Sequence, residues 1–175
     1  MPTAIHRKKT ELDGLTFFYL DTETSGPTML CLHGRFGRAE TWFGLVQQYA
    51  DRYRVIAPDQ RGHGLSDKPI GKYTADEMAL DAAHLIKHLD CAPVIVVGHS
   101  MGGRIAGYLA AQHPALVSYL VVLDQTARGF YRASTKGAGG PQTFDFGPIE
   151  AEDVGQNSCL RAAGFRRGER SVRRP

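Results

Sequence analysis

The sequence predicts an α/β protein with a doubly wound, mostly parallel sheet and helices on both faces. Four short runs of mainly apolar residues, at 28–32, 53–58, 93–98 and 117–124, have the length of buried strands. Segments with apolar residues at helical spacing lie between them. This alternation of strand and helix gives a parallel sheet with right-handed crossovers.

An antiparallel hairpin is expected at one edge of this sheet. A polar stretch at 5–12 and a β-rich run at 15–20 are separated by Asp13-Gly14, a pair that favours a type I′ turn. Thr74 and Glu77 have the spacing of a capping box at the start of a helix. The helices are predicted at 39–49, 75–89 and 100–112.

The character of the sequence changes after residue 127. Residues 1–127 form the predicted core domain, whereas residues 128–175 are rich in glycine and arginine and show no hydrophobic period. This tail has nine basic and five acidic side chains, so it accounts for the net charge of +3. We expect it to be irregular and poorly ordered. Its abrupt start is typical of a truncated or frame-shifted gene product.

Composition also bears on compartment and partners. Three cysteines, Cys31, Cys91 and Cys159, are an odd number at wide spacings, which predicts neither a disulfide framework nor a zinc site. No run approaches the about 18 apolar residues of a membrane helix, and no secretory signal is visible. The arginines of the tail lack interleaved aromatic residues, which disfavours nucleic-acid binding. We expect a cytoplasmic protein without metal, cofactor, membrane span or nucleic-acid partner.

Ser100 is the candidate nucleophile. It is the centre of a G-x-S-x-G sequence, residues 98–102, between a predicted strand and a predicted helix. A sharp turn there requires small neighbours, which Gly98 and Gly102 provide, and the helix N-terminus offers N–H groups to a negative charge. The alternative interpretation is a tight turn with a capping serine. The flanking strand and helix patterns make that alternative the weaker one.

Acyl transfer from a serine also needs two N–H donors for the oxyanion. The N–H of Met101 is one candidate, and the N–H of Arg35, in the loop after the run at 28–32, is the other. A second glycine-rich loop follows the run at 53–58 and contains Asp59 and Arg61. These two residues either tie loops together or contact a ligand. We favour the structural interpretation, because structural ion pairs resemble functional ones.

These elements together resemble the α/β-hydrolase family, in its serine-nucleophile, esterase-like branch. The resemblance covers residues 15–127, the N-terminal half of such a protein. It is carried by LHGRFGRAETW at 32–42, DQRGHGLSDKP at 59–69 and VVGHSMGGRIA at 96–106. A serine at the centre of the turn, where an aspartate could stand, points away from the epoxide-hydrolase branch.

The resemblance implies an incomplete α/β-hydrolase fold that acts on a small carboxylic ester or related acyl substrate. Ser100 attacks the carbonyl carbon, and the N–H groups of Arg35 and Met101 form the oxyanion hole. His33 and His99 are implied to pack loops. No cofactor is implied.

The family places its acid and its histidine base after the serine, and the last histidine here is His113. At 1.5 Å per residue it lies about 18–20 Å along the helix from Ser100, too far to act as the base. His33 and His63 lie on loops at the same rim, and Asp124 is a candidate acid. We therefore expect a hydrolase with impaired activity. The alternative is an inactive fragment or binding protein of this fold, which self-associates through an exposed sheet edge.

Overall fold

The computed structural model describes residues 4–71, 73–124 and 159–161, and over these residues a seven-stranded sheet carries helices on both faces. The strands are β1 (His6–Leu12), β2 (Leu15–Asp21), β3 (Thr28–Leu32), β4 (Arg54–Pro58), β5 (Val94–His99), β6 (Val117–Leu123) and β7 (Cys159–Arg161). The helices are α1 (Phe43–Tyr49), α2 (Ala75–His88) and α3 (Met101–Gln112), with 3-10 turns at Ala39–Trp42 and Pro114–Leu116. None of the described helices is both long and apolar enough to cross a membrane.

The predicted doubly wound sheet is confirmed. The strand order is β1-β2-β4-β3-β5-β6-β7. Strands β4, β3, β5 and β6 run parallel, and the antiparallel hairpin β1-β2 adds to β4 at the edge. From β3 the chain proceeds to β4 on one side and then to β5 on the other. The sheet therefore has its topological switch point at the carboxyl ends of β3 and β5, where open α/β sheets bind ligands.

Both faces of the sheet are buried, as the apolar runs predicted. Leu30 and Leu32 of β3 belong to a cluster with α2 and α3, whereas Cys31 between them belongs to a second cluster with α1 and the preceding 3-10 turn. Alternate side chains of a strand point to opposite faces, so a strand covered on both sides has to be apolar throughout. Burial raises the pKa of the Cys31 thiol strongly, which keeps it protonated and inert.

Most predicted elements are shifted by one residue at an end, and two of the differences concern residues near the candidate site. The helix expected at 39–49 is split into a 3-10 turn and α1, and the N–H of Ala39, which has no acceptor within the turn, donates to the Asp59 carboxylate. The strand expected to reach residue 124 ends at Leu123, and Asp124 has a left-handed backbone with φ of 51°.

The predicted tail at 128–175 lies outside the described residues, except for β7. This short strand pairs antiparallel with residues 121–123 of β6. The sequence indicated no strand there, because a three-residue segment among glycines and arginines has no measurable period. The division into a core at 1–127 and a tail at 128–175 stays a prediction.

Candidate active site

Ser100 occupies a sharp turn between β5 and α3. Its φ of 50° and ψ of −114° lie outside the regions that L-residues ordinarily occupy. Such a conformation costs of order 1–3 kcal/mol and persists only where surrounding contacts impose it. Two backbone hydrogen bonds hold Ser100 in this conformation. Its N–H donates to the carbonyl of Leu123 at 2.8 Å, and its carbonyl accepts from the backbone N–H of Arg104 at 3.2 Å.

The glycines around the serine allow backbone segments to approach closely. A β-carbon on Gly102 would lie 2.0 Å from the Leu32 carbonyl oxygen, and one on Gly98 would lie 2.4 Å from the Gly102 carbonyl oxygen. Both distances are far below van der Waals contact, so no other residue fits without movement of the backbone. Helix α3 therefore packs directly on the ends of β3 and β5, as the G-x-S-x-G pattern predicted.

The loop that follows β3 passes beside this turn. A β-carbon on Gly34 would lie 3.5 Å from the Ser100 β-carbon and 2.8 Å from Nδ1 of His99. Arg35 is the next residue, and its carbonyl accepts a hydrogen bond from Nε2 of His63 at 2.5 Å. Among the described residues, the N–H groups of Arg35 and Met101 have no backbone acceptor. The structure thus brings the two predicted oxyanion donors to the same end of the sheet as Ser100.

His33 is committed to the loop and is not a base. It is buried, its Nδ1 donates to the Gly34 carbonyl at 2.8 Å, and its Nε2 accepts from the N–H of Gln60 at 3.1 Å. Burial lowers the pKa of His33, and its neighbour His63 lowers it further. A neutral ring with Nδ1 protonated is the form that both hydrogen bonds require.

His63 connects two loops. Its Nδ1 lies 3.0 Å from the Arg61 carbonyl and its Nε2 lies 2.5 Å from the Arg35 carbonyl. Its ring packs edge-to-face on His33, with 5.0 Å between the ring centroids. A carbonyl oxygen only accepts, so the shorter contact, to Arg35, requires Nε2 of His63 to be the donor. His63 therefore acts on the loop beside Ser100 through its backbone.

Asp59 and Arg61 make contacts within the protein that tie elements together. The Asp59 carboxylate accepts from the N–H of Ala39 at 2.6 Å and from the N–H of Leu65 at 2.7 Å. Arg61 forms a double hydrogen bond with Asp81 of α2. Burial raises the pKa of Asp81, although the Arg61 guanidinium opposes this shift. These contacts agree with the structural interpretation of both residues.

The family can be assigned from comparison with known proteins. A family model described as alpha/beta hydrolase fold matches residues 27–171. The chain belongs to the α/β-hydrolase family. The match extends past residue 127, where the resemblance in the sequence was expected to end.

Individual members of the α/β-hydrolase family are also similar to the chain. A 2-(acetamidomethylene)succinate hydrolase of Mesorhizobium japonicum is 45% identical over 58% of this chain and 37% of its own length. An sn-1-specific diacylglycerol lipase of Mus musculus is 37% identical over 71% of this chain and 41% of its own length. The solved structure of the epoxide hydrolase CorEH has a TM-score of 0.68 and 31% identity, and the match covers 78% of this chain and 46% of that one. The chain thus spans less than half the length of these relatives.

Two further candidates from the sequence lie at opposite ends of α3. Asp124 follows β6 at the same end of the sheet, and its carboxylate is exposed and 3.8 Å from Nε2 of His99. His113 lies at the opposite end of α3, where its N–H donates to the Leu109 carbonyl. Burial and the nearby Lys87 lower the pKa of His113. Across residues 4–71 and 73–124, no three ligating side chains come together as a metal site.

Two residues near the site escaped the sequence analysis. Gln60 donates from its N–H to His33 Nε2 and from its side chain to the His33 carbonyl, at 3.1 and 2.7 Å. Asp81 anchors Arg61 from α2. Neither contact follows from spacing along the chain, because each joins elements 20 or more residues apart.

Proposed function

We propose that the chain is the nucleophile-bearing part of a serine hydrolase that acts on small carboxylic esters or related acyl compounds. The observation that carries this proposal is the strained turn at Ser100, packed against the loop at Gly34. Strained residues cluster at active sites, and a strand-to-helix turn of this kind is the one that presents a nucleophilic serine in the family, which supports the proposal.

The proposed reaction has two steps. Ser100 Oγ bonds to the carbonyl carbon of the ester, and the N–H groups of Arg35 and Met101 donate to the resulting oxyanion. The C–O bond of the ester then breaks, and the alcohol leaves with the proton that the serine has lost. Water next attacks the acyl-serine, releases the carboxylic acid and restores the hydroxyl.

The relatives support hydrolysis in general and leave the bond open, because their names include a lipase, an acetamidomethylene-succinate hydrolase and an epoxide hydrolase. A serine at the turn favours the acyl substrates, since an acyl-serine ester is itself hydrolysed by water. Asp124, beside His99, is the candidate acid within the described residues.

We expect the activity of this chain to be low. It has no histidine after His113, and the His33 ring is committed to Gly34 and Gln60. A serine hydrolase that lacks one member of its triad retains about 10³–10⁴-fold acceleration over water, from the oxyanion hole and from substrate binding. The second candidate function, a binding protein without turnover, is favoured by the same engagement of His33.

Labelling with a fluorophosphonate tests the proposal, because this reagent needs a nucleophilic serine and an oxyanion hole. We expect slow covalent labelling of the native chain and none of Ser100→Ala. Ser118→Ala, on β6 and away from the turn, is the matched control and should label like the native chain. A folded native chain that stays unlabelled would favour the binding protein, and labelling that persists in Ser100→Ala would overturn the assignment of the nucleophile.

We further propose that the chain self-associates through the free side of β6. Strand β7 pairs only with residues 121–123 of β6, so the first half of that edge has no strand partner among the described residues. Edges of this kind pair readily with a second chain.

A further inference from the structure

A small cavity lies between the sheet and helix α2. Its polar wall consists of Gln60, Arg61 and Asp81, and the rest is apolar and comes from β2, β3, β4 and α2. The space is about that of one water molecule. A cavity of this size with three polar residues differs from the dry, wholly apolar voids of protein cores.

Gln60, one of the residues that line the cavity, has a buried side-chain oxygen, Oε1, without a hydrogen-bond partner among the described residues. Its side chain is more than nine-tenths buried. The orientation of the amide is fixed, because Nε2 donates to the His33 carbonyl at 2.7 Å and a flipped amide would bring two oxygens together. A buried acceptor without a donor costs about 1–3 kcal/mol. We therefore expect a hydrogen-bond donor next to Gln60 Oε1.

The other side of the cavity provides a second acceptor and a positive charge. The Asp81 carboxylate accepts two hydrogen bonds from Arg61, which leaves about two of its roughly four acceptor positions unused. The Arg61 guanidinium repels a cation, and Asp81 together with Gln60 Oε1 repels an anion. A ligand that complements these groups is neutral and donates one hydrogen bond to Gln60 Oε1 and one to the Asp81 carboxylate.

We propose that the cavity binds one water molecule, which donates to Gln60 Oε1 and to the Asp81 carboxylate. The water then joins helix α2 to the Gln60 amide, which in turn holds the His33 carbonyl immediately before Gly34 and Arg35. This proposal concerns a binding site in the scaffold and does not depend on the reaction proposed for Ser100.

A crystal structure of the full chain at about 1.2 Å resolution or better tests the site directly. We expect a single ordered oxygen roughly 2.7–3.2 Å from Gln60 Oε1 and within hydrogen-bond distance of Asp81. The proposal is overturned if Oε1 instead accepts from a protein group, or if the space is filled by a side chain.

Solution measurements of water residence by magnetic relaxation dispersion give an independent test. Ala82→Val adds two methyl groups to the wall of the cavity, and we expect this variant to lose one long-lived internal water. Leu80→Val, two residues earlier on the exposed side of α2, is the matched control and should keep it. An unchanged count in a folded Ala82→Val overturns the proposal, and if that variant fails to fold, the crystal structure decides.

Discussion

At the scale of single residues, the Asp21 carboxylate shows how a buried charge is retained. Arg54 donates to it at 3.0 and 2.7 Å, and the N–H of Glu23 donates at 2.9 Å. Burial by itself raises the pKa of Asp21, but these hydrogen bonds and the charge of Lys8 outweigh burial and lower it. The folded-state pKa therefore lies below the unfolded value of about 3.9. The stabilisation is present above that value and is lost as pH falls through the folded pKa.

Arg54→Met tests this ion pair. Because a buried carboxylate would lose its main partner, we expect the free energy of unfolding at pH 7 to fall by about 3 kcal/mol. The difference from the native chain should shrink between pH 7 and a pH below the lowered folded-state pKa of Asp21, because the carboxylate is protonated there. Urea denaturation at both pH values measures it. Arg52→Met, which removes an exposed arginine, should change stability by less than about 0.5 kcal/mol, and a similar loss in both variants would refute the argument.

His63 is a positioning residue for the proposed oxyanion hole, since it touches the Arg35 carbonyl and not the reacting atoms. His63→Ala should slow fluorophosphonate labelling roughly 10- to 100-fold through displacement of the Arg35 N–H. His63→Gln, which keeps a donor, should recover part of the rate. His113→Ala, at the far end of α3, should label at the native rate. Unchanged labelling in a folded His63→Ala would exclude this role.

At the scale of elements, local patterns predicted what depends on neighbours in sequence. The strand at 28–32 has the predicted bounds, and the predicted capping box forms at α2, where the Glu77 N–H donates to Thr74 Oγ1 at 3.2 Å. The turn at Ser100 also follows from residues within one pentapeptide. The contacts that support this turn do not follow from local sequence. Gln60 and His63 contact the loop after β3 from about 27 residues further along the chain, through tertiary packing alone.

The junction of β5 and α3 makes a sharp prediction about glycine. Gly102→Ala should lower the free energy of unfolding by about 3 kcal/mol or more, because the new β-carbon would meet the Leu32 carbonyl oxygen. Gly44→Ala is the matched control: it lies on the exposed side of α1, its β-carbon would meet nothing within 4 Å, and we expect a gain of about 0.5–1 kcal/mol. Thermal and urea unfolding measure both. Equal effects would show that packing at the turn is loose.

At the scale of the whole molecule, the alternation of strands and helices predicted the sheet and its two buried faces. The order β4-β3-β5 was not predicted, because the right-handed rule determines which face a crossover helix covers and not which strands become neighbours. The pairing of β7 with β6 could not be predicted, because antiparallel addition at an edge depends on which edge is open and not on a local period. The proposed self-association involves that same edge.

The edge of β6 predicts concentration-dependent association. Among the residues that the structure describes, its outer side is paired at residues 121–123 alone, and Tyr119, two residues before that pairing, is 53% exposed. We expect size-exclusion elution to shift toward a dimer as concentration rises, and Tyr119→Lys to suppress the shift, because a charge on an edge strand opposes pairing. Leu80→Lys adds the same charge to an exposed position of α2 and should leave the shift unchanged. Monomeric elution at every concentration, or equal suppression by both variants, would show that β6 does not pair with a second chain.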